Sequence, residues 1–336
     1  MLHADRGLPF RPFRLFALLS ILILLSAIFS APTYAQWLPT KPIELWVTFG
    51  KGAHADLWAR EVVRIIEKHN LLPVPINVVN ILKGVGAEAF PKFQARAADD
   101  HTLMLILPNA YTVPIFKPEI GFDVMGTTPI ANMGEETLGL WVNAKHADIR
   151  TIEDFVRVAR EKGPEFKMVG PPLGTPRALL SEMIITMYGL DATYVGIRKI
   201  GSTARVLTEK GYDAAIFNSA EQLALPDKTS NRIIATLSRE RIGNGSYIPT
   251  LLETGMAIEY SPSRIVIGPP RMPRPASEYY AKLIKKVYDT PEWQSLRRAK
   301  GHVGNYSTGP DLTKEMNKLV EKHKRWKMVV EELGKR

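Results

Sequence analysis

Hydrophobic and polar residues follow two different patterns along the chain. Short apolar runs alternate with longer stretches in which apolar residues recur every three or four positions, a pattern typical of α/β proteins. Residues 43–49 predict a buried strand, and residues 56–69 predict a helix because Trp58, Val62 and Ile65 fall on one face. Further strands are predicted at residues 76–79, 103–107, 130–133, 138–142, 166–169, 193–195, 214–217 and 264–267, and further helices at residues 151–162, 175–188, 202–210, 275–288 and 312–333.

Several aromatic residues fall on the apolar faces of predicted helices. In the last helix, Met316, His323 and Trp326 share one such face. We interpret them as core residues, and we interpret Trp58 and Trp293 as packing residues and not as an aromatic binding box.

The chain has 336 residues, which is about twice the length of a typical domain once a leader is set aside. We predict one domain from residues 36–138 plus 264–336 and a second from residues 139–263. Because no low-complexity linker separates them, we expect short chain crossings of the kind found in hinged proteins.

The first 35 residues carry the features of a secretory signal. Arg6, Arg11 and Arg14 form a basic start, residues 15–29 are mostly apolar, and Ala35 ends a cleavage-like segment. We predict cleavage after Ala35 and export to the periplasm. The alternative is an uncleaved anchor, although the apolar run is shorter than the ~20 residues of a membrane span.

Composition excludes several classes of site. The chain has no cysteine, so thiolate metal sites, disulfides and a lipid-modified cysteine are excluded. The net charge is +10, but basic residues are spread along the chain and alternate with Glu315, Glu321 and Glu331 in the last helix. This distribution indicates a solvated surface and does not favour a nucleic-acid partner.

Four strand-to-helix junctions are rich in glycine and small residues. They are FGKGAHAD at residues 49–56, NILKGVGAE at 80–88, GPPLGTPR at 170–177 and GIRKIGST at 196–203. Glycine lets backbone N–H groups approach a ligand, and the helix that follows offers unpaired donors and the positive end of its dipole. Such junctions favour carboxylates and phosphates, and ligands of open α/β sheets bind at this edge.

The stretch VTFGKGAHADLWAR at residues 47–60 fits no common phosphate or catalytic motif. Gly52 follows Lys51, so GxxxxGK[ST] is absent, and GxGxxG is incomplete because Ala55 stands at its third glycine. His54 and Asp56 could share a metal, but the other histidines are scattered singly. Asp56 also suits a helix first turn, which is compatible with ligand binding. With no GxSxG either, we predict no catalytic residue, no metal and no cofactor.

Taken together, the segments resemble the solute receptors of the tripartite tricarboxylate transporter family, also called Bug receptors. The resemblance covers residues 39–334 and includes KPIELWVTF at 41–49, DDHTLML at 99–105 and WKMVVEELG at 326–334. It implies an α/β fold of the type II periplasmic-binding-protein class. In that fold two doubly wound α/β domains are joined by a two-strand hinge, and the ligand cleft lies between them.

The resemblance also implies two walls of a ligand site, named by position. One wall comprises Phe49, Gly52, Ala53, His54 and Asp56, with Lys51 beside them. The other comprises Gly174, Thr175, Arg177, Arg198, Lys199, Gly201 and Ser202, and Asp213 keeps the family's spacing from Val195.

This chain departs from the family at several of these positions. Lys51 replaces a proline, Ala53 and His54 replace glycines, and Lys199 and Ile200 replace two more glycines. We therefore expect side chains to take over part of a site that relatives build from backbone. The added cations favour a ligand with one or more carboxylates, unless they point to solvent.

The anion-suited junctions and the resemblance together predict a periplasmic receptor that binds a small organic anion. The resemblance implies that it delivers this anion to integral membrane subunits of a tripartite tricarboxylate transporter. We expect a monomer. One alternative is a receptor that presents its ligand to a membrane sensor kinase. Another is an exported enzyme that uses His54 and Asp56 for proton transfer.

Overall fold

A computed structural model describes residues 37–173, 175–197, 202–242 and 247–333. The predicted signal peptide and its cleavage site lie outside these residues. The described chain forms two α/β lobes, each built on one β-sheet. This arrangement agrees with the two-lobed fold expected from the sequence.

Eleven strands run through the described residues. They are β1 (Ile43–Val47), β2 (Ile76–Asn80), β3 (Thr102–Ile106), β4 (Thr128–Glu136), β5 (Leu138–Asn143), β6 (Lys167–Gly170), β7 (Thr193–Gly196), β8 (Ala214–Asn218), β9 (Asn231–Thr236), β10 (Ser263–Gly268) and β11 (His302–Val303). Ten α-helices accompany them in the same part of the chain. They are α1 (His54–Lys68), α2 (Ala89–Gln94), α3 (Asn109–Phe116), α4 (Ile152–Lys162), α5 (Pro176–Met187), α6 (Thr203–Glu209), α7 (Ser219–Leu223), α8 (Arg274–Tyr288), α9 (Pro291–Ala299) and α10 (Gly309–Leu333).

The first sheet has the strand order β11-β4-β10-β3-β1-β2, and the second has the order β7-β6-β8-β5-β9. Strands β1, β2 and β3 are parallel to one another, as are β6, β7 and β8. Their carboxyl ends therefore lie at one edge of each sheet, and the glycine-rich junctions of the sequence follow those ends. The remaining strands pair antiparallel.

The predicted strands and helices are all present, with ends that differ by a few residues. Sequence reasoning missed β9, β11 and the short helices α2, α3, α7 and α9. Strand β9 begins with Asn231 and Arg232, so its polar start hides the apolar residues that follow. Helices α2 and α3 are short and contain proline, which weakens the helical pattern.

Each sheet has its own hydrophobic core. The first lobe buries residues of β1, β3 and β10 with α2 and α3, and the second buries residues of β5, β6 and β8 with α4 and α5. Trp58 and Trp293 are almost completely buried, and their rings meet edge to face at 5.2 Å. Their predicted packing role is confirmed.

Helix α10 contacts both cores. Leu312 and Met316, near its start, pack in the core of the first lobe, whereas Trp326 packs in the core of the second. Between them His323 is buried, with Nδ1 2.7 Å from the Leu319 carbonyl and Nε2 3.4 Å from the Tyr260 hydroxyl. Burial lowers the pKa of His323 to about 4, so the ring is neutral at pH 7.

The chain passes between the lobes at two adjacent places. Only Thr137 separates β4 from β5, and the second passage precedes β10. The two passages are joined by a hydrogen bond from Glu136 N to Pro262 O at 2.9 Å, and beside them Leu237 N, just after β9, donates to Leu138 O at 2.8 Å. These adjacent passages form the hinge. Within the described residues, no helix is both long enough and apolar enough to span a membrane.

Packing on α1 gives a test of the core. We expect Trp58→Ala to lower the free energy of unfolding by about 3–5 kcal/mol, because it removes a large buried ring and leaves a cavity. Urea unfolding measures this loss. Leu57→Ala, at a neighbouring position that is 52% exposed, is the matched control and should change stability little. Equal effects of the two substitutions would contradict this account of the core.

Candidate functional site

The loop between β1 and α1 forms the first predicted wall. Gly52 has a φ of +80°, a conformation that glycine adopts without strain, and Ala53 N donates to Gly50 O at 3.0 Å. Helix α1 then begins at His54 without a side-chain cap. The loop therefore presents backbone to the edge of the sheet. Lys51 at its tip is exposed and makes no hydrogen bond or ion pair with any described residue.

Asp56 holds this loop in place from the first turn of α1. It is fully buried, and its carboxylate accepts bonds from Gly52 N at 2.8 Å, from Arg60 Nε at 2.9 Å and from Asn80 Nδ2 at 2.9 Å. Burial alone would raise the pKa of Asp56, but these donors outweigh it and lower the pKa below its usual value. Asp56 is therefore ionised, and its carboxylate fixes the conformation of the loop through Gly52 N.

Neighbouring strands add polar side chains to the same edge of the sheet. Asn80, the last residue of β2, also donates to Phe49 O at 2.8 Å. Asn109, at the start of α3, donates to Thr48 Oγ1 at 2.9 Å. These bonds connect the ends of β1 and β2 and the start of α3 in one continuous polar surface. Phe49 contributes its backbone carbonyl to it.

His54 does not face Asp56 but turns toward the hinge. Its Nδ1 lies 2.8 Å from Glu136 Oε1 and 3.0 Å from Arg264 Nη2. Arg264 also binds Glu136 directly, and both side chains are buried. The two charged residues belong to β4 and β10, so the hinge and the first wall share one polar cluster.

Opposite charge keeps the buried carboxylate of Glu136 ionised. Burial alone would raise the pKa of Glu136, but Arg264 and His54 outweigh it and hold the pKa well below its usual range. His302, also close to Glu136, remains neutral because burial lowers its pKa to about 4.

Among the described residues, two groups have donor atoms close enough together for a metal ion. In the first, donor atoms of His54, Glu136 and His302 lie within 4.8 Å of one another, but Arg264 already binds Glu136. A guanidinium at that position opposes a second cation. The other group comprises Asp99, Asp100 and His101 on one short turn. There Asp99 Oδ1 accepts from the His101 backbone N–H at 2.9 Å.

The second predicted wall lies at the carboxyl edge of the second sheet. Thr175 precedes α5, and its hydroxyl donates to Pro172 O at 2.9 Å. Arg177, in the first turn of α5, binds Glu221 through Nη1 at 2.6 Å. Ser202 caps α6 by accepting from Arg205 N at 3.3 Å. The structure therefore brings Thr175, Arg177 and Ser202 to one edge, with Arg177 already paired.

Asp213 lies at the opposite edge of the second sheet. It precedes β8, and it accepts bonds from Lys167 N at 2.7 Å and from Lys162 Nζ at 2.8 Å. His146 Nε2 lies 2.7 Å from the same carboxylate. Because Lys167 starts β6 and the loop follows its end at Gly170, Asp213 is not brought together with the other site residues. The structure gives it a role in anchoring the amino ends of these strands.

Four predicted site residues, Gly174, Arg198, Lys199 and Gly201, lie outside the described residues. Sequence reasoning also overlooked residues that organise the site. The sequence does contain a signal for Arg264 and Glu136, since each is a charged residue near the end of a strand that is otherwise mostly buried. Arg60, Asn109 and Glu221 left none, because a polar residue on a helix is most often solvated.

Two lobes that meet at a two-strand hinge, with anion-suited loops at the edge of each sheet, define a solute receptor of the type II periplasmic-binding class. The model of the tripartite tricarboxylate transporter family receptor matches residues 74–335, and the chain belongs to this family. It is 24% identical over 328 residues to the BugT protein of Bordetella pertussis, covering 96% of this chain and 98% of that protein.

Solved structures share the fold. The Rhodopseudomonas palustris protein MatC with bound malate has a TM-score of 0.69 and 18% identity, covering 87% of this chain and 100% of that one. The R. palustris protein Rpa4515 with adipate has a TM-score of 0.72 and 22% identity, covering 88% and 98%. The family to which the chain belongs is one of solute-binding receptors and not of enzymes. The alternative of an exported enzyme is therefore wrong, and His54 and Asp56 bind different partners.

The hinge cluster gives a test of coupling between Arg264 and Glu136. We expect Arg264→Gln to lower the free energy of unfolding by about 3–5 kcal/mol, because it leaves Glu136 buried without its counter-ion. Combining it with Glu136→Gln removes the unpaired charge and should restore most of this loss. Urea unfolding of both variants measures the difference. A double variant no more stable than the single one would contradict the pairing.

Glu135, which precedes Glu136 on β4, should make the free energy of unfolding depend on pH. Burial raises the pKa of Glu135 to about 7, so the folded protein holds a proton that the unfolded chain has already released. The contribution of Glu135 to stability is therefore lost as pH rises from about 5 to 7, whereas His302 and His323, with lowered pKa values, act in the opposite direction, so the comparison is made with a Glu135 variant. We expect Glu135→Gln to gain stability relative to wild type at pH 8 but not at pH 5. Urea unfolding at both pH values tests this, with exposed Glu119→Gln as the control.

Proposed function

We propose that this protein is a periplasmic solute receptor that binds a small organic anion carrying a carboxylate. The observation that carries the proposal is the loop of residues 49–53 before α1. Its backbone faces the edge of the first sheet, and the buried carboxylate of Asp56 fixes it from behind. Helix α1 has 15 residues, so its amino end adds a dipole that favours a negative group.

Several observations support a carboxylate as the class of ligand. Lys51 is a cation at the tip of the loop with no described partner. Two fold neighbours bind malate and adipate, which are both carboxylates. On the second wall, Thr175, Arg177 and Ser202 belong to the proposed site, as do the predicted Gly174, Arg198, Lys199 and Gly201.

The proposed role is transport. The family is named for receptors of tripartite tricarboxylate transporters, which supports delivery of the ligand to integral membrane subunits. An exported receptor with a cleaved signal peptide would meet them in the periplasm. We propose domain limits of residues 36–138 plus 264–336 and residues 139–263, with the ligand between the lobes.

A ligand screen tests the proposed binding. We expect carboxylates, and not neutral sugars, to raise the melting temperature of the purified protein, because a ligand bound only by the folded state stabilises it. Mass spectrometry of small molecules that co-purify with the protein would then identify candidates for calorimetry. Stabilisation by neutral sugars alone would contradict the proposal.

Lys51 gives the corresponding test of the site. We expect Lys51→Ala to weaken carboxylate binding several-fold in calorimetry, with a smaller loss at high salt because exposed charges are screened. Lys286→Ala removes the same charge from an exposed position of α8 and should leave affinity unchanged. Equal effects of the two substitutions on affinity would show that binding depends on net charge and not on the position of Lys51, which would contradict its place in the site.

A further inference from the structure

The carboxylate of Glu221 already occupies hydrogen-bond donors of the second wall. Glu221 Oε1 accepts from Arg177 Nη1 at 2.6 Å, and Oε2 accepts from Thr203 N at 2.6 Å. Ser202 Oγ and Ala204 N lie 3.4 Å from the same oxygen. Glu221 is therefore bound by a guanidinium on one side and by hydroxyl and backbone donors on the other.

The backbone holds Glu221 in this position. Its own N–H donates to Asn218 Oδ1 at 3.0 Å, which caps helix α7. Strand β8 ends at Asn218, so the side chain of Glu221 starts from a fixed point at the edge of the sheet. Only 19% of the Glu221 side chain and 29% of the Arg177 side chain are exposed.

This pairing changes what a ligand meets on the second wall. An anionic group approaching Arg177 encounters a cation whose charge Glu221 has balanced. It must either displace Glu221 from its donors or lie beside a second carboxylate, and two like charges in a partly buried place repel. A neutral polar or apolar group meets neither penalty.

We propose that Glu221 is a specificity-determining residue that selects ligands with a single anionic end. The inference rests on the proposed function, since it assumes that the loop before α1 receives one carboxylate. The end of the ligand nearest Arg177 is then uncharged. A dicarboxylate of the same length binds less favourably because Glu221 occupies the donors that its second carboxylate needs.

Matched pairs of probes test this selection in calorimetry. Adipate and hexanoate have the same chain length but two and one carboxylates, and succinate and butyrate form a shorter pair. We expect wild type to bind the monocarboxylate of a pair at least as tightly as the dicarboxylate. Glu221→Gln, which keeps the shape and frees Arg177, should shift the ratio of affinities about tenfold toward the dicarboxylate.

Two further variants separate this effect from net charge and from folding. Glu209→Gln removes the same charge from an exposed position of α6 and should leave the ratio unchanged. Adding Arg177→Gln to Glu221→Gln should abolish the shift, because the cation that receives the second carboxylate is gone. Circular dichroism and thermal unfolding show whether each variant is folded.

The outcomes distinguish this inference from the function on which it rests. If wild type binds none of the four carboxylates, the proposed function fails for these probes and the inference fails with it. If wild type binds but the ratio is the same in Glu221→Gln, the inference alone is overturned. A wild-type preference for the dicarboxylate of either pair also overturns it.

Discussion

The buried ion pair between Glu136 and Arg264 is the interaction on which the rest of the structure depends. It joins the end of β4 to the start of β10, the two strands at which the chain passes from one lobe to the other. Because His54 binds the same carboxylate, the first turn of α1 is fixed to the hinge as well. The cluster therefore holds the start of α1 to the two strands through which the chain leaves and re-enters the first lobe.

Three buried or half-buried carboxylates of the protein each form an ion pair with an arginine. Asp56 pairs with Arg60, Glu136 with Arg264, and Glu221 with Arg177. Ion pairs of this kind contribute little net stability after desolvation, but each one fixes a loop or strand end in a single arrangement. Such a framework is preorganised, so little of the binding free energy is lost to ordering the protein.

Apolar periodicity predicted the strands and helices well, because any buried strand or amphipathic helix displays it, whereas the type II periplasmic-binding fold was expected from the family resemblance. The site was only partly predictable. The loop at residues 49–56 was found from its glycines, but the direction of His54 toward Glu136 depends on a contact between residues far apart in the chain. The same holds for Glu221 and Arg177. Asp213 was included by spacing alone, and spacing does not say at which edge of a sheet a residue lies.

Helix α10 has a consequence for how the protein unfolds. Leu312, near its start, is buried in the first core, and Trp326, about four turns further along, is buried in the second. A helix of 25 residues is about 38 Å long and stiff, so neither core can lose its packing without exposing part of a helix that the other core still holds. Because they share this element, we expect the two lobes to unfold as one cooperative unit.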